Sequence, residues 1–529
     1  MLKSTLSIKD TGYFSSLVND YVLHKDWLKS LIQDFPSHES IEQQLVLRQK
    51  QSIDRSTLVE VLNNQYSTIQ DTEVVMSNIN ALLDVTTFSI CTAHQPNVFT
   101  GFLYFIYKIV HAIKLSNECN SLYSKFKFVP IYYIGSEDND LDEIGTFHYN
   151  NKTYRWDTKQ QGACGRMLTT EMEDILNEVL LTLNDQLPHE KNIQKIFIDA
   201  YNGVNTLSQA TRIIVHALFG QYGLVVIDAD DSRLKSQFMD VMKDELFNQS
   251  SYTIVSKTID KISLHYKVQA VPRELNLFYL KDQLRERIER EGDEWQVVNT
   301  TLRFTRDELM NELNQYPERF SPNVILRPLY QETILPNVAF VGGGGEIAYW
   351  LQLKSLFEYH KRLYPVLFLR NSILWINAKT SSLIQKHDID YSHLFGTVDD
   401  LVHSKLSDHT TLLELKSIET RLLDEYEEIK KLSQSISDSL FQSMEAHTAK
   451  AQKIQTRIHQ KFISHLKRNE EDLIERIHQI KSHLFPNNSL QERYDNFLMI
   501  YKQYGEEMIP ELMKHQEDFG IEFIVLSEQ

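Results

Sequence analysis

Cysteine is scarce. The 529 residues hold three, Cys91, Cys119 and Cys164, at spacings that fit neither a disulfide framework nor a zinc site. A reducing cytoplasm is the expected compartment. Long apolar runs are missing as well. The stretch Gly101 to Leu115 carries Lys108, His111 and Lys114 and is too short and too charged to span a bilayer. Met1 to Asp10 alternates polar and apolar residues with no apolar core, so no signal peptide is expected. Positive charge is in deficit: Lys+Arg 55 against Asp+Glu 72 leaves −17. A chain this acidic lacks the footprint of a general nucleic-acid or anionic-membrane binder. No repeats and no low-complexity segment occur. A 42% hydrophobic content excludes collagen-like and disordered classes and leaves a soluble globular chain long enough for two or three packed units.

Periodicity sets the organisation. Tyr13 to Leu31 and Ile53 to Leu83 carry apolar residues at three- and four-residue spacing and read as helices. Short buried-looking strands follow. Phe88 to Ala93 ends at His94-Gln95-Pro96, and Phe128 to Gly135 ends at Glu137-Asp138-Asn139-Asp140. Leu224 to Ile227 ends at Asp228-Ala229-Asp230, and Pro365 to Leu369 ends at Arg370. Between them lie helices such as the one with Phe102, Ile106, Ile109, Val110 and Ile113 on one face. Alternating strands and helices predict an α/β fold with a parallel sheet. Phe147 to Met167 and Leu277 to Arg303 are suited to short antiparallel strands and read as insertions. From Thr410 to Leu484 there is no proline or glycine, and Leu415, Ile418, Leu422, Ile429, Leu432 and Ile436 keep a near-heptad seam. That is a coiled-coil signature, either two antiparallel helices or a pairing with another chain, and the seam favours self-association. The expected division is 1–375 for the core with its N-terminal helices, carrying insertions near 146–205 and 277–320. Residues 376–515 form a helical coiled-coil domain, and 516–529 end in a strand returning to the core.

In an open parallel sheet, ligands bind at the carboxyl ends of the strands, and the candidate residues sit at those ends. His94, with Gln95, can hold an oxyanion or act as an acid or base; a turn histidine is the plainer reading. A helix opening near Thr100-Gly101 would add backbone donors that favour an anion. Lys108 and His111 share a stripe with Tyr104 and line a cleft or a solvated face. Glu137, Asp138 and Asp140 can bind an ammonium, hold Mg²⁺ through oxygens, or take a proton from an amine; otherwise Asp138 or Asp140 caps the next helix. Asp228, Asp230 and Arg370 end the other strands. Gly342 to Gly345, with Glu346, precede a helix and let a ligand approach the backbone closely. The run is neither a Walker loop nor a dinucleotide fingerprint.

Together these motifs resemble one family, the cysteine ligases of bacillithiol biosynthesis (BshC). The matching segments are His94-Gln95-Pro96 with Phe99-Thr100-Gly101, Leu103-Tyr104 and Ile106-Tyr107-Lys108; Val129-Pro130; and Glu137 to Asp140 with Glu143-Ile144. Further matches are Gly162 with Gly165-Arg166-Met167, Ser321 to Val324, Arg327 to Glu332 and Leu335 to Asn337. Gly342-Gly343 with Gly345-Glu346, Ala348 to Trp350, Gln491-Glu492-Arg493 and Tyr504-Gly505 complete the set. Three positions depart from the family pattern: Asn97 stands where glycine is usual, Asn139 where histidine is usual, and Gly344 where proline is frequent. Asparagine exchanges no proton, so position 139 has no acid–base work here.

The resemblance implies a Rossmann-like core with inserted connecting subdomains and a C-terminal coiled coil that makes a homodimer. It also implies a ligase that joins the cysteine carboxyl to the amine of glucosaminyl-malate. ATP is the expected activator; whether Mg²⁺ accompanies it stays open, and no metal-ligating residues are assigned. His94, Glu137 and Asp138 are then the expected catalytic residues. Gln95, Asn97, Thr100, Gly101, Lys108, Asp140, Asp228, Asp230, Gly343, Gly344, Glu346 and Arg370 are the expected substrate- or nucleotide-binding set. Cysteine and glucosaminyl-malate are the expected partners, with no nucleic acid and no membrane. Two other readings stay open: a nucleotidylyltransferase-like enzyme acting on another small amine or acid, and a non-catalytic coiled-coil protein that binds a ligand.

Overall fold

A computed structural model describes every residue except Asp408 and Asp518. The chain divides into two compact units. The larger comprises Phe14–Ile373 and Glu492–Ile524; the smaller comprises Met1–Tyr13, Leu374–Gln491 and Val525–Gln529.

The larger unit is built on a five-stranded sheet. Its spatial order is Val366–Leu369, Asn337–Gly342, Thr87–His94, Lys127–Ile134, Val225–Asp228, and every neighbouring pair is parallel. Numbered along the chain, the order is 5-4-1-2-3, the doubly wound arrangement of a Rossmann-like core. The strands are apolar almost throughout because helices cover both faces. Phe88, Ile90, Phe128, Val338, Val341 and Phe368 share one core cluster with Ala112 and Leu115 of the helix Leu103–Leu122. Strand order reverses between Thr87–His94 and Asn337–Gly342, which opens a crevice at their carboxyl ends.

Both expected insertions are antiparallel. Thr146–Tyr149 pairs with Lys152–Arg155. Leu277–Lys281, Leu284–Glu291, Glu294–Val297, Arg303–Thr305 and Phe320–Pro322 form a second five-stranded sheet. The N-terminal helices are shorter than their periodicity implied. Ser16–Val22 and Arg55–Tyr66 are α-helical, and a separate helix covers Glu73–Ala81.

In the smaller unit, Thr410–Gln434 and Asp438–Asn469 are long helices joined by a short turn. They pack along one another and so run antiparallel. The Ser437 side chain accepts from the Leu440 amide and starts the second helix. Seam residues stay open: Ile418, Leu422 and Ile429 are 45–47% exposed, and Ile458 is 41% exposed. The final strand, Glu522–Ser527, lies in a three-stranded sheet between Leu2–Ser7 and Ser372–Ile376, and the alternating segment after Met1 supplies one of its neighbours.

Candidate active site

The crevice opens into a cavity of about 1000 Å³. Ten of the expected residues line it: His94, Gln95, Lys108, Glu137, Asp138, Asp140, Gly343, Gly344, Glu346 and Arg370. The cavity has two chemically different ends.

Cations dominate one end. Lys108 is buried; its Nζ donates to the Ala93 carbonyl at 2.5 Å and to Glu346 Oε2 at 2.6 Å. Glu346 Oε2 also accepts from the Gly343 amide at 2.8 Å. Arg370 forks onto Glu492 at 2.7 and 2.9 Å and lies over the Tyr104 ring at 5.3 Å. Its Nε is buried with no partner. Arg327 donates to the neutral groups Tyr349 Oη and Gln331 Oε1. Arg493 also lines the wall, and its guanidinium is pushed down by burial and then by Arg370. Lys108, Arg327, Arg370 and Arg493 thus face two carboxylates, Glu346 and Glu492. The surplus positive charge favours an incoming anion.

His94 sits beside this end, with Tyr104 Oη 3.4 Å from its Nε2. Burial, then Lys108 and Arg370, drive its pKa well below the ordinary value. Its surroundings therefore favour the neutral ring.

The other end is acidic. Asp138 accepts from Gln95 Nε2 at 3.1 Å and from the Asn139 amide. Among the described residues it makes no ion pair within 4.0 Å. Glu143 follows on the same loop, and its pKa is raised by desolvation and then by Asp140 and Asp138. Asp140 caps the short helix Leu141–Ile144. The inserted sheet closes this end with Arg285, which stacks on Phe278 at 3.9 Å and donates to Asn139 Oδ1 at 3.0 Å.

Several expectations need correction. Glu137 was expected to bind a substrate ammonium, but its carboxylate is paired with an internal one and keeps only 10% of its side-chain surface open. Lys235 Nζ is ion-paired to Glu137 and donates to the Phe320 carbonyl. Thr100 and Gly101 do not open a helix toward the cavity. The helix begins at Leu103, whose amide is taken by the Asp495 carbonyl at 2.8 Å. Asn496 holds the Phe99 and Gly101 carbonyls, fixing Phe99 and Thr100 at φ of 50° and 68°, a strained conformation for residues with a Cβ. Asn97 packs under Gly101 and donates to the Glu143 carbonyl. Asp228 accepts from Ser136, and Asp230 is forked by Arg166. None of these five lines the cavity. The helix that starts within the glycine run, Gly344–Trp350, is only seven residues long, and Glu346 already accepts from the amide of its N-cap residue, Gly343.

Sequence reasoning gave no role to Lys235, Arg285, Arg327, Glu492 or Arg493. Arg327, Glu492 and Arg493 lie within the quoted family segments, which is a usable signal; Lys235 and Arg285 have none. Among the described residues, no group of three or more His, Cys, Asp or Glu side chains is placed to hold a metal ion.

Comparison with known proteins decides the family. Residues 1–371 match the N-terminal Rossmann-like domain of bacillithiol biosynthesis BshC, and 373–528 match its C-terminal coiled-coil domain. The chain belongs to the BshC family. Curated relatives named "Putative cysteine ligase BshC" agree. The one from Flavobacterium johnsoniae is 37% identical over 527 residues, covering 99% of each chain. That from Flavobacterium psychrophilum is also 37% identical, covering 98% of each. That from Christiangramia forsetii is 37% identical over 100% of this chain and 99% of its own. Membership makes the chain an enzyme of the ligase type, and the two-ended cavity is its candidate active site.

Proposed function

We propose that this BshC chain joins cysteine, through its carboxyl group, to the amine of glucosaminyl-malate, with ATP activating the carboxylate. The observation that carries the reading is the division of one cavity into a cation-rich end and an acidic end. Amide formation needs both. An activated carboxyl and its phosphoryl oxygens require positive charge, and the attacking amine requires an acceptor for its proton.

Arg370 Nε, with Lys108, Arg327 and Arg493, would hold the anionic groups. ATP, when bound, supplies the leaving group that makes the cysteine carboxyl electrophilic. Asp138, which makes no ion pair within 4.0 Å among the described residues, receives the sugar amine. His94 stays neutral and donates or accepts a hydrogen bond at the cationic end. The test incubates purified chain with cysteine, glucosaminyl-malate and ATP, and follows product mass and nucleotide. Bacillithiol should form together with AMP or ADP, each requiring both substrates. Nucleotide release without the amide, or no turnover, overturns the reading.

The open seam of the helical hairpin supports a homodimer. Leu422, Ile429 and Ile458 are too exposed for a stripe that ends at the hairpin's own interface. Light scattering should give twice the chain mass, and Leu422→Glu with Ile429→Glu should give the mass of one chain.

A further inference from the structure

We infer that the cation-rich end contains a seat for the zwitterionic head of an α-amino acid, with Glu346 receiving the ammonium and Arg370 Nε the carboxylate. The head group follows from geometry; only the thiol side chain rests on the reaction proposed above.

Two unused atoms define the seat. Arg370 is 5% exposed and lines the cavity, and its Nε is the one guanidinium nitrogen with no partner. An arginine N–H left dry and unpaired is costly, and a ligand oxygen removes that cost. Glu346 spends only Oε2 on Lys108 and Gly343. Among the described residues its Oε1 has no hydrogen-bond partner, and the side chain keeps 22% of its surface open.

Gly343 lies between them. A Cβ placed there would sit 3.6 Å from Arg370 Nε and 3.6 Å from Glu346 Oε2. The two side chains therefore flank a gap that any residue larger than glycine would fill. A group carrying opposite charges on adjacent carbons, lying over Gly343, would bring its anionic oxygen to Arg370 Nε and its ammonium to the Glu346 carboxylate, each at about 2.8 Å. A phosphate fits the gap less well, because it offers no cation to Glu346 and would meet its negative charge.

Lys108 has a positioning role. It anchors Oε2 and leaves Oε1 unbonded among the described residues. Arg327, whose hydrogen-bond partners are neutral, adds to the positive charge of this end of the cavity.

The test uses the full chain and isothermal titration calorimetry, with and without a non-hydrolysable ATP analogue. The ligands are L-cysteine and 3-mercaptopropionate, which lacks the ammonium. The intact protein should bind cysteine about 10–100-fold more tightly, the range expected for one charge-assisted hydrogen bond. Glu346→Gln should erase that preference by weakening cysteine alone; Gln still accepts from the Gly343 amide, so the backbone turn is kept. Gly343→Ala is the control for folding. Its φ of −74° suits alanine, so its melting should be unchanged while both ligands lose affinity. Equal weakening of both ligands in Glu346→Gln, unimpaired binding in Gly343→Ala, or no cysteine binding to the intact protein under either condition overturns the seat. The reaction is judged separately. Head-group discrimination without amide formation sinks the reaction and leaves the seat. Amide formation with Glu346→Gln discriminating as the intact protein does sinks the seat and leaves the reaction.

Discussion

Lys235→Met is expected to destabilise the larger unit by about 3–5 kcal/mol, the usual cost of stranding one member of a buried ion pair. The Lys235 side chain is fully buried, and Glu137 keeps only 10% of its side-chain surface. The pair sits behind the acidic wall, with the ammonium 5.3 Å over the Tyr330 ring and bonded to the Phe320 carbonyl. Without Lys235, Glu137 loses the counter-charge that opposes its desolvation. Its pKa, already raised by burial with Lys235 pulling the other way, should rise further, and the carboxyl should become neutral. Pairing the change with Glu137→Leu removes the stranded charge and should recover most of the stability. Denaturant unfolding of both single variants and the double variant measures the coupling. A loss below about 1 kcal/mol in Lys235→Met would show that the pair does not hold the wall.

Arg370→Lys is expected to lower kcat/KM for cysteine by about 100-fold while leaving KM for the amine substrate nearly unchanged. Lysine keeps the charge but lacks the planar fork. It cannot hold both Glu492 oxygens, which now lie 2.7 and 2.9 Å from the guanidinium, and it offers nothing in place of the unpartnered Nε. About 100-fold corresponds to ~2.7 kcal/mol of transition-state stabilisation, within the range for a charged hydrogen bond. Glu492 is fully buried, so stability should fall as well. The substrate-specific split in KM separates a role in the site from simple loosening. Equal effects on both substrates would assign Arg370 to structure alone.

The sheet was largely legible in the sequence, for a physical reason. Parallel strands buried on both faces are short, continuous apolar runs, and in four of five cases a polar cluster ended the run where ligands bind. The missed strand, Asn337–Gly342, has the same character but merges into the glycine run, which drew the reading toward a loop. Residues at strand ends reached the cavity when nothing distant competed for them, as with His94, Gln95 and Asp138; Arg370 reached it with two of its three nitrogens held by Glu492 and its Nε left over. They failed where a partner far along the chain had claimed them. Thr100 and Gly101 are closed off by Asp495 and Asn496, nearly 400 residues later, and Asp230 is taken by Arg166. Local pattern carries no information about such long-range partners. The same limit hid Lys235, an ordinary-looking lysine in the short helix Ser232–Ser236, and Arg285, which arrives from the inserted sheet.

The claim on which the account turns is that both substrates meet in the cavity at the carboxyl edge of the parallel sheet. A crystal structure with cysteine and glucosaminyl-malate bound tests this most directly. The account predicts the amino-acid head beside Gly343, between Glu346 and Arg370, and the sugar amine within hydrogen-bond reach of Asp138. Either substrate found instead in the roughly 600 Å³ cavity of the smaller unit, lined by Asp388, Tyr391, His393 and Lys405, would contradict it.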